Sequence, residues 1–401
     1  MKGEIRSLTS LRGIAALSVV LLHVVSTYPI LSWISHQPGG NIIVIALTQT
    51  PVRAIFAGGS AVILFFVLSG FVLALPFVDG HTPATSGFLV RRVCRIYIPY
   101  AAALAFTLAI RSVVPIHRVP GTTEWFNAFW SHAIGVRTVL DYLGMTGSLS
   151  QINNTDFVTW SLVHEMRISL LFPALMIALQ SMRSTGTRMA AFLLFSTACM
   201  AGLAQISSAA GASSAVLGAV RSFLDTGHYV WLFVVGIEMA RHRRRLLELG
   251  NRAHPAFLLI ALVVSLFLYC AQGEAVPFNV QAISIFLVGF GSAGIVALAF
   301  VSSRIDALLT VRPCVFLGEI SYSLYLIHPV ILLGMMHGLD GRIPGWLTLA
   351  LVPLVSVGVA WLMRRYIELP SIAAGRRIST TLAGRTIMVP RAFGASIRRK
   401  T

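Results

Sequence analysis

The sequence predicts an all-α, polytopic integral membrane protein of about ten transmembrane helices, with both termini cytoplasmic, in the cell (inner) membrane. Three observations carry that expectation. Hydrophobic residues fill 56% of the 401 positions and charged ones only 11%, too little charge to cover the surface of a water-soluble domain of this length. Apolar runs of roughly 18–22 residues recur, each long enough to cross the hydrocarbon of a bilayer. Lys and Arg gather in alternate connections, so that 24 of the 31 basic residues fall on one side, which the positive-inside rule makes the cytoplasm.

The spans run roughly Leu11–Ile30, Gly59–Val78, Ile96–Val114, Val158–Leu179, Met189–Ile206, Leu217–Ala240, Phe257–Cys270, Ala282–Val301, Cys314–Met336 and Trp346–Met363. The sixth carries Arg221, Asp225 and His228 near its start and the seventh is short, so these two rest on the weakest signal. The first run leads into the second without a polar region ending in small residues, and a cleaved signal peptide is not expected. The longest connection, Pro115 to Phe157, lies opposite the basic side and contains "EWFNAFW", whose aromatics suit an interfacial or re-entrant segment. Residues 1–370 form the transmembrane domain. Residues 371–401 are a basic cytoplasmic tail that either lies along an anionic leaflet or stays unfolded. No internal repeat is evident, which weighs against an inverted-repeat transporter.

A net charge of +17 would suit nucleic acid if it were clustered. Its arginines sit instead at the ends of apolar runs, and no nucleic-acid partner is expected. Cys94, Cys199, Cys270 and Cys314 are far apart, with no CxxC pair. They read as free thiols, with neither a disulfide framework nor a metal site.

The informative residues are those that do not belong in lipid. Arg12 and His23 lie eleven positions apart in one apolar run. At about 100° and 1.5 Å per residue they share a helix face to within roughly 20° and stand roughly 16 Å apart. Burying an imidazole in hydrocarbon is costly and points to a polar cavity, although a histidine bonded to a neighbouring helix would serve packing alone. Counting along the spans brings Glu165 and His328 to the depth of His23. Three titratable groups from three spans then converge on one layer, unless Arg167 or His328 merely neutralises Glu165. On the basic side, Arg92 and Arg95 are three apart and share a face if the third helix has begun. With Arg12 they form a candidate anion site suited to bidentate phosphate contacts, or serve only as topology charges. Ser69 and Gly70 sit mid-span, where such a pair favours close helix packing. Nothing nearby resembles a strand–turn–helix elbow, so Ser69 reads as pocket lining.

Taken together, "LRGIAALSVVLLHV", "FFVLSGF", "RVCRIYIP", "WSLVHE", "GEISYSLYLIHP" and "IELP" resemble, in order and over nearly the whole chain, the membrane acyltransferase-3 family. That family includes O-acetyltransferases of bacterial polysaccharides and Nod factors and macrolide acyltransferases. The resemblance implies transfer of an acyl group, acetyl most commonly, from cytoplasmic acyl-CoA to a hydroxyl of a carbohydrate, lipid-linked sugar or macrolide-like acceptor. It implies catalytic roles for His23, Glu165 and His328 and donor binding by Arg12, Arg92 and Arg95. The expected pocket is lined by Ser69, Trp160, Ser321 and Tyr322, and no metal is required. In this reading His23 takes the hydroxyl proton and Glu165 orients the imidazole. His328, Ser321 or Tyr322 polarises the carbonyl. Extended pantetheine spans on the order of 15–20 Å, matching the Arg12–His23 gap. The soluble hydrolase-like domain of some members has no counterpart in these residues. The rival from another class is a proton-coupled transporter or flippase, with His23, Glu165 and His328 as a proton relay.

Overall fold

The computed structural model describes residues 2–29, 50–80, 83–131, 134–145, 156–208, 215–271 and 278–385. Among them every regular element is helical. In chain order these are α1 (Lys2–Ser26), a 3-10 turn (Pro51–Phe56), α2 (Gly58–Val78), α3 (Thr85–Val113), α4 (Glu124–Ala128), α5 (Val136–Gly144), α6 (Thr159–Ser181) and α7 (Thr185–Ser208). There follow α8 (Ala215–Arg241), α9 (Arg243–Arg252), α10 (Pro255–Tyr269), α11 (Phe278–Val301), α12 (Ser303–Leu309), α13 (Arg312–Leu339), α14 (Gly345–Met363), a π-helical turn (Arg364–Glu368) and α15 (Leu369–Arg385).

Each of the ten expected spans falls on a helix over most of its length, the first ending at Ser26. Among the described residues, eight helical stretches are long and apolar enough to cross a membrane. The two spans that miss this standard are the two with the weakest sequence signal. The sixth span (α8) is long but polar at its start, and the seventh (α10) is apolar but only 15 residues long. The exterior is apolar in the manner of a lipid-facing surface, with Leu171, Leu194 and Leu259 each more than 60% exposed, an arrangement that water would penalise and hydrocarbon tolerates. The chain is a polytopic, all-α membrane protein.

α13 is the central helix, with 78% of its apolar window buried against 22% for the peripheral α7. α1 crosses it at two facing glycines. A Cβ on Gly13 would stand 2.2 Å from the Gly318 amide nitrogen, and one on Gly318 would meet the Thr9 carbonyl at 2.3 Å. Only glycine lets the two backbones touch there. The same device joins α2 to α8, where a Cβ on Gly70 would lie 2.2 Å from Phe233 O. The expected role of the Ser69–Gly70 pair in close packing is thus met by Gly70.

Two faces can be distinguished by what they carry. The basic face holds the start of α1, α9 and α15, and the loop face holds α4 and α5. α15 packs along the start of α3, where Arg91 hydrogen-bonds Ser379. The boundary expected at 370/371 falls just inside α15, and residues 386–401 lie outside the described residues. The four cysteines are free.

Candidate active site

Arg12 and His23 both lie on α1, and the shared face derived from their spacing is turned towards α13. His23 Nδ1 stands 3.0 Å from His328 Nε2. On the far side of that second ring, His328 Nδ1 is 3.1 Å from the Leu324 carbonyl. A carbonyl only accepts, so His328 carries its proton on Nδ1 and offers a lone pair at Nε2. His23 must then donate from Nδ1, which leaves the lone pair of its own neutral ring on Nε2. This tautomer chain follows from the hydrogen-bond network. Pro329, next in sequence, cannot donate to the Tyr325 carbonyl, and so loosens the helical ladder where the imidazole sits.

Aromatic rings complete the dyad's surroundings on the loop face. Trp125 from α4 lies parallel to His23, within 8°, at a centroid separation of 5.6 Å, and Phe157 meets it edge-on at 4.4 Å.

Towards the basic face lies a small, partly open cavity whose polar lining is Arg12, Ser69, Ser161, Glu165, Ser321 and the tyrosines Tyr322 and Tyr325. Three of the four expected pocket residues, Ser69, Ser321 and Tyr322, are there. Trp160 is not: its ring packs on His164 (5.9 Å) and Tyr229 (6.0 Å). The helical period explains this, since Ser161 and Glu165 form the cavity stripe of α6 while Trp160 and His164 form the adjacent one, towards α8.

Glu165 does not reach the dyad through any hydrogen bond of the described residues. Its Oε1 accepts from Ser69 Oγ (3.1 Å) and from Arg92 Nη2 (3.2 Å), and Arg92 also donates to Ser169 Oγ (3.0 Å). The partner of His23 is His328, so the orienting role expected of Glu165 is corrected. The reason is register. Ser161 Oγ is 2.7 Å from Tyr325 OH, which fixes α6 against α13. From that contact His328 lies three residues towards the loop face and Glu165 four towards the basic face, a separation of roughly 10 Å. The three groups therefore occupy two layers. Arg167 does not neutralise Glu165 either. It donates to Ser222 O, Ser222 Oγ, Thr226 Oγ1 and Met145 O.

The expected anion cluster is assembled unevenly. α3 is already helical at Arg92 and Arg95, and Arg12, Arg92 and Arg95 are close enough to repel one another, offset by Glu165 and Glu368. Arg12 lines the cavity and makes no hydrogen bond among the described residues, whereas Arg92 is committed to Glu165 and Ser169. Glu368 was not foreseen as a site residue. The π-helical turn brings it, buried, to Ser323 Oγ at 2.6 Å, and the "IELP" motif was its only signal.

Among hydroxyls that could polarise a carbonyl, Tyr322 donates to Ile96 O (2.8 Å), and Tyr325 is bonded to Ser161 and Val158 O. Ser321 faces the cavity with no hydrogen-bond partner among the described residues. Tyr325 stands between the two layers, lining the cavity while its ring lies 6.1 Å from His328. Among the described residues no three His, Cys, Asp or Glu side chains are grouped as a metal ion requires.

Fold and site define a class: a membrane-embedded helical bundle with a hydrogen-bonded histidine pair above a charged, partly open cavity. The comparisons give the family. The acyltransferase-domain model of the acyltransferase-3 family matches residues 5–365, and the chain belongs to that family. It is 24% identical over 329 residues to a Bacillus subtilis (strain 168) protein named "Putative peptidoglycan O-acetyltransferase YrhL", covering 78% of this chain. The chain spans about half the length of that relative, 50%. No solved structure matches the chain.

Proposed function

We propose that this protein is an integral membrane O-acyltransferase that moves an acyl group, acetyl first among the candidates, from acyl-CoA to a hydroxyl of a carbohydrate or glycosylated small molecule. The basic face is cytoplasmic in this reading. CoA phosphates bind Arg12, Arg92 and Arg95 there, and the pantetheine arm runs through the cavity towards the dyad. His23 Nε2 accepts the acceptor's proton as the hydroxyl oxygen attacks the thioester carbon. His328 holds the reactive tautomer, as a carboxylate does beside other catalytic histidines. Glu165 acts on the donor side, holding Arg92 in place.

The observation that supports this reading most is the 3.0 Å bond that leaves His23 with one defined free nitrogen. A transporter also explains buried histidines, but it has no use for a fixed tautomer beside a cationic cavity. The carbohydrate acceptor is the reading the Bacillus subtilis relative's name supports.

The test is CoA release from acetyl-CoA by the purified protein, with and without sugar acceptors. Release is expected in the parent and should fall about 10²–10⁴-fold in His23→Ala, the usual worth of a general base. His23→Gln should fare no better, because an amide does not take up a proton at neutral pH. Undiminished turnover in both variants would remove His23 from the chemistry.

A further inference from the structure

The loop-face side of His23 is closed by an aromatic collar that the acyl-transfer reading leaves without a task. Trp125 lies parallel to the imidazole. Phe129 meets Trp125 at 4.9 Å and Phe157 at 4.8 Å. Phe129 and Phe157 are buried at 7% exposure each, but Trp125 keeps 36% of its surface open. The segment that carries it is fastened to the helix that carries the base. Thr123 donates from its amide to Thr27 O (2.9 Å) and from its hydroxyl to Ser26 O (2.9 Å). Thr27 Oγ1 in turn donates to His23 O (2.9 Å). Indole and imidazole are therefore held in one short hydrogen-bonded unit, more than an accidental loop contact would need.

We propose that Trp125 is the acceptor platform, and that the acceptor is a pyranose ring entering from the loop face. The proposal rests on the acyl-transfer reading and deepens it. With Nδ1 of His23 committed to His328, a hydroxyl must approach Nε2, and the cationic cavity already occupies the basic side. Among the described residues, the remaining approach passes Trp125. A flat, electron-rich indole face complements the row of C–H bonds on one side of a pyranose, which the ring oxygens polarise. An ionised acceptor would want a charged partner in the collar, and an alkyl chain would want a deep apolar slot instead of a half-exposed ring. The sugar lies against the open indole surface and extends one hydroxyl past its edge. In the transfer that hydroxyl oxygen bonds to the acyl carbon while the carbon–sulfur bond breaks. Its proton passes to His23 Nε2, the sulfur leaves as CoA thiolate, and the thiolate finally takes the proton.

The experiment measures CoA release by the full chain in lipid nanodiscs, given acetyl-CoA and either no acceptor, a panel of methyl pyranosides or chitotetraose. At least one sugar should raise release above the rate with water alone, with saturation. Trp125→Ala should raise the KM for that sugar roughly tenfold, about what one stacked aromatic contact contributes at its upper end, while the KM for acetyl-CoA moves less than twofold. Trp125→Phe should recover most of the loss. If no sugar exceeds the water rate, or if Trp125→Ala leaves the sugar KM in place or shifts both KM values alike, the platform is refuted. A parent protein that releases no CoA under any condition refutes the acyl-transfer reading along with it. Release that is indifferent to Trp125 refutes the platform alone.

Discussion

The two polar layers of the bundle hold their groups by opposite means. The layer nearer the loop face pairs two neutral histidines among aromatic rings. The layer nearer the basic face sets arginines against carboxylates, with Arg92 bonded to Glu165 at 3.2 Å and Arg12 facing the cavity. Tyr325 divides them. A proton acceptor needs an uncharged ring in a defined tautomer, which a neighbouring arginine cluster would disturb. A phosphate-bearing donor needs surplus positive charge, which costs less near a membrane surface than at mid-depth. In the proposed transfer, separating the layers by roughly two turns of helix would let one bundle provide both.

The largest expected effect breaks the upper layer. His328→Ala removes the acceptor that fixes the His23 tautomer, and turnover should fall on the order of 10²-fold, with the KM for acyl-CoA unchanged. His328→Gln, whose amide oxygen can still accept from Nδ1, should recover part of that loss, whereas a merely structural histidine would gain nothing from the amide. Equal defects in Ala and Gln, measured as kcat at saturating donor, would reduce His328 to packing.

A smaller effect sharpens the contrast inside the lower layer. Arg12→Ala should weaken acyl-CoA binding by about 1.5–3 kcal/mol, the range for a hydrogen bond to a charged group. Arg92→Ala should cost less affinity but more stability, because it leaves the Glu165 carboxylate without its ion-pair partner. Calorimetry with CoA and thermal melts in detergent separate the two. The reverse order would mean that Arg92 meets the phosphate and that Arg12 serves the fold.

How far the sequence could be read depends on whether the deciding contact lies within one helix or between two. The spans were legible because apolar run length is local, and even the doubtful α8 and α10 were doubtful for reasons the structure bears out. The Arg12–His23 face was legible for the same reason: eleven residues of one helix carry their own geometry. The partner of His23 was not. Depth counted inwards from separate span ends put Glu165 level with the imidazole, but the Ser161–Tyr325 contact sets it roughly two turns towards the basic face. Trp160 was assigned to the pocket through its motif, where the phase of its helix turns it to α8. Trp125 lay in an aromatic run whose long connection to the spans concealed what it covers.

The smallest effect concerns the point where the upper layer meets the loop face. Asp156 is 1% exposed, just before α6. One carboxylate oxygen accepts from the Val158 amide at 3.2 Å, and the other is buried without a partner among the described residues. Burial pushes this carboxyl up to about 7, against the smaller opposing pull of the Val158 amide. The folded protein therefore holds the proton more tightly than the unfolded chain does. Stability is lost as pH rises from about 4, where the unfolded carboxyl ionises, to about 7, and is flat beyond. Asp156→Asn keeps an oxygen for Val158 and removes the charge. It should raise the melting temperature at pH 8 by a few degrees, for a gain of at most about 4 kcal/mol, with the advantage shrinking at pH 5. The same gain at both pH values would show that ionisation is not its source, and no gain at pH 8 would show that the carboxylate is solvated in the membrane-embedded protein. With a gain confined to high pH, the dyad layer would be one that admits no uncompensated charge even at its edge, in contrast to the arginine layer two turns below.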